Sequence, residues 1–290
     1  GRISPYACRP PETVAAWRGF PAWHPWSGGA ILPRGVDAGP AIESAALDRR
    51  SDGQALAAKL RVELRPYQRR AVDALLNRGQ GVVVAPCGAG KTTVGVGAIA
   101  AAGRTALVLV HTLDLARQWR SRLAEQAGLD AGLVADGTDA RDTPVVVATV
   151  QSLARWPWKD LYRWGRGFGL VVLDEAHHAP AETFCAVLGG LAARLRLGLT
   201  ATPDRDDGLG PIVDWCFGPR LATVGLGDLA REGAVVLPEL RVVRTGWSPQ
   251  DEGASWAAVV AEQTNDPDRN ATILREIEGR SPDVEGEANG

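Results

Sequence analysis

A stretch of small residues ending in Gly-Lys-Thr-Thr is the segment of this sequence with the clearest chemical potential. It reads A-P-C-G-A-G-K-T-T over Ala85–Thr93, after the apolar run Gly81–Val84 and before a segment that can form a helix to Ala102. Small residues let backbone N–H groups curl around phosphate oxygens, and the following helix adds its positive N-terminal end. The order of strand, loop of small residues, Gly-Lys-Thr and helix predicts a phosphate-binding loop. Ala85 occupies the position where the strict pattern has its first Gly.

Each residue of the loop has a predicted part in binding a nucleotide. Lys91 would reach the β- and γ-phosphates, and the Thr92 hydroxyl would bind Mg²⁺. The other predicted contacts are Pro86, Cys87, Gly88, Ala89, Gly90 and Thr93. A tight strand-to-helix turn with a surface lysine is the structural alternative, so the motif needs a second element of the site to support it.

Two adjacent carboxylates supply that second element. Asp174 and Glu175 follow the apolar run Leu170–Leu173. An aspartate at a strand end can hold Mg²⁺, and the neighbouring glutamate can orient and deprotonate the attacking water. An acidic turn with Asp174 as a helix N-cap is the alternative. The buried strand before it and its position after the phosphate loop favour the nucleotide site, with Lys91, Asp174 and Glu175 as catalytic residues.

Apolar runs separated by segments with helical patterns indicate the fold that positions these residues. The predicted strands cover residues 82–84, 105–110, 145–148, 170–173 and 195–199. Continuous apolar strands are typical of a parallel sheet covered on both faces, and ligands bind at the carboxyl ends of such strands. We therefore predict an α/β nucleotide-binding domain.

Helices are predicted between these strands from apolar spacing and capping residues. They cover residues 66–79, 93–102, 112–128 and 184–193, with a shorter helix at 55–60. Pro66 suits a first turn, and Gly79 ends the first helix behind an apolar face that includes Leu76. Thr112 can cap the third helix.

Composition narrows the class of protein. The 290 residues are 45% hydrophobic and 23% charged, which is typical of a globular chain, and the net charge of -2 excludes a globally basic nucleic-acid coat but not a local basic groove. The four cysteines form no C-x-x-C pair, so they suggest neither a zinc site nor a disulfide framework. We expect a cytoplasmic protein without a membrane segment.

Six segments of the chain agree in sequence and order with the first-lobe motifs of superfamily 2 helicases. They cover residues 64–68, 85–93, 110–118, 148–153, 174–178 and 199–203. The forms L-R-P-Y-Q, D-E-A-H-H and L-G-L-T-A-T-P-D-R most resemble the XPB-like excision-repair and type III restriction-subunit branch of the DEAD/DEAH-box proteins. This resemblance covers about residues 60–245. It implies a RecA-like P-loop NTPase lobe with ATP and Mg²⁺ as cofactors.

The resemblance also implies roles for residues around the loop. Gln68 would read the adenine edge, with Arg65 near the same pocket. Thr200 and Thr202 would couple the nucleotide site to the nucleic-acid track, and His177 would bridge towards them.

Nucleic acid is the partner that the resemblance implies, with DNA favoured over RNA. Thr112 and Thr149 would contact the phosphates of one strand, since both are predicted at helix starts beyond strand ends. Free N–H groups there can bind phosphate without sequence preference. His178 has no assigned role and is equally compatible with a structural one.

We expect three parts in this chain: an irregular N-terminal extension over residues 1–60, the first lobe over 61–245, and the start of a truncated second lobe over 246–290. In this superfamily the second RecA-like lobe supplies an arginine finger. No Gln-x-x-Gly-Arg-x-x-Arg pattern follows residue 203, and the chain contains no Met. We therefore expect a fragment that binds ATP·Mg²⁺ but hydrolyses it slowly, with a separate polypeptide as one source of the second lobe.

Three functions are compatible with these observations. The favoured one is the ATP-binding lobe of a nucleic-acid-dependent ATPase or helicase. The alternatives are the translocating subunit of a restriction endonuclease and a non-catalytic, ATP-gated scaffold that works with a partner. A nuclease motif would point to the restriction subunit, and this sequence shows none.

Overall fold

The computed structural model describes residues 50–178, 182–201, 216–231, 242–250 and 255–278, together with Val213, Gly233 and Gly253. The chain divides into two compact units, residues 1–237 and 238–290, and each is described by itself. The predicted N-terminal extension up to position 49 lies outside the described residues, as does Thr202. The predicted domain boundaries stay predictions.

An eight-stranded sheet forms the centre of the first unit. Its strands are β1 (Gln80–Val84), β2 (Ala106–Val110), β3 (Gly132–Ala135), β4 (Thr138–Asp139), β5 (Val145–Thr149), β6 (Leu170–Asp174), β7 (Leu195–Thr200) and β8 (Arg220–Thr223). They lie in the order β4-β3-β5-β2-β6-β7-β1-β8, and every pairing is parallel except β3 with β4. The predicted α/β fold with a parallel sheet is confirmed.

The helices of the first unit connect these strands. Among the described residues they include α1 (Pro66–Arg78), α2 (Lys91–Ala102), α3 (Leu113–Ala127), α4 (Val150–Ala154), α5 (Trp158–Gly165), α6 (Glu182–Gly189) and α7 (Leu226–Arg231), with a 3-10 turn at Ala176–His178. The helices predicted from Pro66, after the phosphate loop and after Thr112 are present. The helix predicted over 184–193 begins earlier and ends at Gly189.

Two hydrophobic cores lie on opposite faces of the sheet. Alternate side chains along β2 enter different cores: Val108 packs with the residues of α1, α2 and α3, while Leu107 and Leu109 pack with those of α4, α5 and α6. All five residues of β2 are buried. The sheet is therefore covered on both faces, and its carboxyl edge is left to carry the polar residues of the site.

The helix predicted at residues 55–60 is wrong, because the backbone there pairs with other parts of the chain. Leu56 N–H donates to Gly103 O at 2.9 Å, and Ala55 forms an antiparallel bridge with Arg104. These contacts hold the start of the segment against the turn after α2, and residues 56–60 form no helix. The expectation for Leu76 is also wrong, since it is 38% exposed rather than part of the buried face of α1.

The second unit contains two helices among its described residues, which also include the non-helical stretch 242–250. The helices are α8 (Trp256–Asn265) and α9 (Pro267–Glu278). The Ser255 side chain caps α8 by accepting a hydrogen bond from Ala258 N at 3.4 Å. Trp256 is 79% exposed, and neither helix has a buried residue. In the described residues of both units, no helix is long and apolar enough to cross a membrane.

Candidate nucleotide site

The phosphate loop joins β1 to α2 at the carboxyl edge of the sheet. Ala85 N–H donates to Thr200 O at 2.9 Å, which anchors the start of the loop to β7. Gly88 and Gly90 have φ angles of 80° and 83°, in the left-handed region that other residues rarely adopt. A Cβ added to Gly90 would also lie 2.8 Å from Gln68 Nε2. Glycine is therefore required at position 90 by both conformation and space.

The start of α1 braces the loop from one side. The Tyr67 hydroxyl donates to Ala89 O, and Gln68 Nε2 lies 3.3 Å from the same oxygen and 3.4 Å from Gly90 O. Gln68 Oε1 accepts from Arg65 N at 2.9 Å. Tyr67 and Gln68 are each 4% exposed. Gln68 thus holds the loop in shape, while the adenine contacts predicted for Gln68 and Arg65 stay predictions.

Tyr67 is a site residue that the sequence reasoning missed. The sequence motif contains Tyr67 without assigning it a contact, although a buried tyrosine needs a partner for its hydroxyl. The need of a buried tyrosine for a hydrogen-bond partner is the one signal in the sequence that points to the role of Tyr67.

The loop residues face different surroundings. Lys91 Nζ donates to Ala85 O at 3.3 Å, so its ammonium group lies over the start of the loop. Cys87 and Gly88 are exposed at the tip, whereas Ala89 is fully buried. Thr93 Oγ1 accepts from Gln126 Nε2 of α3 at 3.3 Å. The Thr93 side chain therefore joins α2 to α3, and its backbone N–H, in the first turn of α2, remains for a nucleotide.

Asp174 ends β6 as a buried carboxylate with two donors. Trp119 Nε1 donates to its Oδ2 at 2.8 Å, and Glu175 N donates to its Oδ1 at 3.0 Å. Asp174 is 6% exposed and Trp119 is fully buried. One lone pair on each carboxylate oxygen is left for a cation or its water. The geometry fixes the carboxylate in one orientation.

Trp119 packs against α2 and the sheet and contacts Asp174, and this role was not predicted. Its spacing in α3 indicated only an apolar face. In the structure, a Cβ added to Gly95 of α2 would lie 2.4 Å from the Trp119 ring and 3.3 Å from Leu199 of β7. The indole therefore packs between α2 and the sheet while it holds Asp174.

Glu175, His177 and Thr200 lie together beside Asp174. His177 Nδ1 is 3.1 Å from Thr200 Oγ1 and 3.3 Å from Glu175 Oε2. Glu175 has a φ angle of 53°, a left-handed conformation that is uncommon for a residue with a side chain. The strand order explains the meeting, because β7 lies between β6 and β1 and so places Thr200 between Asp174 and the phosphate loop.

The two threonines predicted to contact nucleic acid have different surroundings. Thr112 is exposed and caps α3 by accepting from Leu115 N at 3.3 Å. Thr149 is 7% exposed, and its hydroxyl is 2.9 Å from Ser152 Oγ. The Thr149 side chain is thus bonded inside the protein, so a strand would meet the backbone N–H groups at the start of α4 rather than this hydroxyl.

The donors on this edge fit a magnesium ion that is held mainly by a nucleotide. Mg²⁺ takes oxygen ligands and is usually bound by one or two protein oxygens together with phosphates and water. Thr92 and Asp174 offer one hydroxyl and one carboxylate. Within the described ranges, no group of three or more His, Cys, Asp or Glu side chains could hold a metal by itself.

A cleft of about 420 Å³ adjoins the braced side of the loop. Its lining comes from α1, β8 and α7: Tyr67, Arg70, Leu221, Ala222, Thr223, Val224, Asp228 and Arg231. Tyr67 both lines the cleft and contacts the loop. Tyr67 is therefore the residue that connects this cleft to the phosphate loop.

A glycine-bearing loop, a helix N-terminus and a paired carboxylate on one edge of a parallel sheet define a P-loop nucleotide-binding domain. The family model described as "Type III restriction enzyme, res subunit" matches residues 61–205, half of the chain. This chain belongs to that family. The resemblance to the XPB-like and type III restriction-subunit branch of superfamily 2 is confirmed.

Curated relatives match beyond the family model. Over 209 residues the chain is 39% identical to "DNA 3'-5' helicase XPB" of Kineococcus radiotolerans, in a match that covers 70% of this chain and 36% of that protein. It is 38% identical over 203 residues to "DNA 3'-5' helicase XPB" of Mycobacterium tuberculosis, covering 67% of this chain and 37% of that protein. The chain thus matches little more than a third of the length of these relatives.

Among solved structures, the UvsW helicase from Bacteriophage T4 is 22% identical to this chain. That superposition has a TM-score of 0.49 and covers 58% of this chain and 63% of the phage protein.

Proposed function

We propose that this chain is the ATP-binding lobe of a DNA-dependent ATPase that translocates on DNA or unwinds it. The observation that carries the proposal is the meeting of three elements on one sheet edge. The loop with Lys91 follows β1, the Asp174–Glu175 pair ends β6, and Thr200 of β7 lies between them. The reaction is hydrolysis of ATP to ADP and phosphate, inside the cytoplasm where DNA and ATP are both present.

Lys91 and Glu175 would perform different parts of this chemistry. The Lys91 ammonium would move from Ala85 O to the β- and γ-phosphates and stabilise the charge that develops during transfer. Glu175 would orient the attacking water and take its proton. Mg²⁺ at Thr92 and Asp174 would neutralise phosphate charge when bound.

His177 and Thr200 are suited to report the state of the nucleotide to bound DNA. Glu175 and Thr200 both lie within 3.3 Å of the same His177 nitrogen. A change at Glu175 during hydrolysis would therefore alter the hydrogen bonding of Thr200. Thr202 is proposed to share this coupling role on the strength of its motif alone.

DNA is favoured over RNA because the relatives that match over about 200 residues are named DNA helicases. The strand would contact the helix starts at Thr112 and Thr149. The same relatives favour a helicase or translocase over the restriction subunit and the scaffold. A second RecA-like lobe, in the same polypeptide or a separate one, would close the site and supply an arginine, so this chain alone would hydrolyse ATP slowly.

The proposal is tested by ATP binding to the purified chain in the presence of Mg²⁺. We expect Lys91→Ala to weaken affinity for a fluorescent ATP analogue by about tenfold or more, because charge-assisted bonds to phosphate are lost. The matched control is Lys159→Ala, which removes an exposed lysine from α5 and should leave affinity unchanged. Equal affinities for the parent and Lys91→Ala would refute the phosphate assignment.

DNA-stimulated hydrolysis distinguishes the proposed motor lobe from a scaffold. We expect weak turnover by the chain alone and a large increase when a second lobe and single-stranded DNA are supplied. ATP binding with no turnover under any of these conditions would instead support the scaffold.

A further inference from the structure

Two cysteines that are distant in sequence meet in the core behind β7. Cys185 lies in α6 and Cys216 precedes β8, and the two residues are 31 positions apart. Their sulfur atoms are 3.7 Å apart, and each residue is 3% exposed. Both are reduced in this structure. Neither has a part in the nucleotide chemistry proposed above.

A buried arginine lies against this pair. Arg196 of β7 is 6% exposed, and its terminal nitrogens donate to three carbonyls: Leu188 O at 3.1 Å, Leu191 O at 2.8 Å and Cys216 O at 3.2 Å. Its Nε has no hydrogen-bond partner among the described residues. A buried guanidinium whose bonds go to neutral carbonyls favours a negative charge nearby.

The two thiols differ in how they respond to these surroundings. The hydrogen bond between the two thiols lowers the pKa of Cys216, burial opposes this change, and the charge of Arg196 lowers the pKa further. The same hydrogen bond, together with burial, raises the pKa of Cys185. Burial lowers the pKa of Arg196, and the nearby thiols oppose that change. These directions favour Cys216 as the sulfur that forms the thiolate, and Arg196 also contacts Cys216 directly by donating to its carbonyl at 3.2 Å.

We propose that Cys185 and Cys216 form a redox-active pair that closes to an intramolecular disulfide when the protein meets a hydroperoxide. The sulfurs must approach by about 1.7 Å to reach a bonding distance of about 2.05 Å. Rotation of the two side chains and a shift of α6 would supply this movement. The bond would tie α6, which follows the Asp174–Glu175 pair, to the segment that follows Thr200.

The reaction balances with hydrogen peroxide as the oxidant. The Cys216 thiolate attacks one peroxide oxygen, the O–O bond breaks, and the departing hydroxide takes a proton to become water. The resulting sulfenic acid is then attacked by the Cys185 sulfur, which forms the S–S bond and releases a second water. In sum, two thiols lose two electrons and two protons, and one peroxide is reduced to two waters.

The test uses a Cys8→Ser, Cys87→Ser background, so that only the proposed pair can react. After treatment with hydrogen peroxide, intact mass spectrometry should show a monomer lighter by about 2 Da, and a thiol reductant should restore the starting mass. Peptide mapping should place the bond between Cys185 and Cys216. The oxidised chain should melt several degrees higher, since the bond constrains the unfolded state.

Two matched variants separate the proposed chemistry from simple damage. Cys185→Ser in the same background should stop at a Cys216 sulfenic acid that a dimedone probe traps. Arg196→Lys should slow closure several-fold if the guanidinium supports the thiolate. If Arg196→Lys does not fold, the mass change of the parent chain still tests whether the disulfide forms.

Three results would overturn the proposal. The first is a parent chain that gains about 32 Da on one cysteine without losing 2 Da. The second is a disulfide that forms only between two chains, and the third is one that forms only in urea.

Discussion

The hydrogen bond from Trp119 to Asp174 offers the sharpest test of how this site is held. The indole nitrogen lies 2.8 Å from the buried carboxylate oxygen, and the two residues are 55 positions apart. Trp119→Phe keeps an aromatic ring between α2 and the sheet but removes the donor. We expect it to destabilise the first unit and to weaken Mg²⁺-dependent ATP binding.

The expected loss in the free energy of unfolding is about 2.5–4 kcal/mol. A hydrogen bond to a charged group contributes about 1.5–3 kcal/mol, and removing one partner leaves the other buried and less well satisfied. The smaller ring adds about 1 kcal/mol for the space that it leaves in a fully buried position.

The assay is urea unfolding followed by far-UV circular dichroism, arranged as a double-mutant cycle. The four proteins are the parent, Trp119→Phe, Asp174→Ala and the double variant. Their coupling energy isolates the hydrogen bond from the packing change and should be about 1.5–3 kcal/mol. Trp164→Phe is the matched control, since the Trp164 ring packs edge-on against Phe168. A coupling energy below about 0.5 kcal/mol would refute the reasoning.

Two further predictions follow from the packing around the loop. Gly95→Ala should destabilise the first unit by about 1–3 kcal/mol in the same unfolding assay, because the added Cβ would lie 2.4 Å from the Trp119 ring. Gly227→Ala in α7 is its control, since nothing lies within 4 Å there, and an equal effect of both substitutions would contradict the steric explanation. Tyr67→Phe removes a hydroxyl that braces the loop, and calorimetry should show ATP affinity about threefold to tenfold weaker. Tyr162→Phe, in the half-buried stack with Trp158, should leave that affinity unchanged.

Much of the fold could be predicted from local pattern, because a continuous apolar run is readable without knowing its neighbours. The five predicted strands all form, and the polar residues that follow them lie on the sheet edge. The strands β3, β4 and β8 were not predicted. β4 is two exposed residues and β8 has no buried residue, so neither carries an apolar signal.

The helix predicted at residues 55–60 does not form because of where this segment lies in the tertiary structure. The local sequence allows a helix, but Leu56 N–H is bonded to Gly103 O. Tertiary pairing of the backbone decided the conformation against the local preference.

The candidate site also has one part that the sequence predicts and another part that only the tertiary structure shows. The phosphate loop is one short segment, and the spacing of its glycines, lysine and threonine can be recognised without knowing any neighbouring element, so the sequence by itself determined its prediction. Trp119 against Asp174 and Cys185 against Cys216 are contacts over 55 and 31 positions, and their residue types allow many other partners. Only the tertiary structure decided them, because strand order and helix packing bring distant side chains within bonding distance.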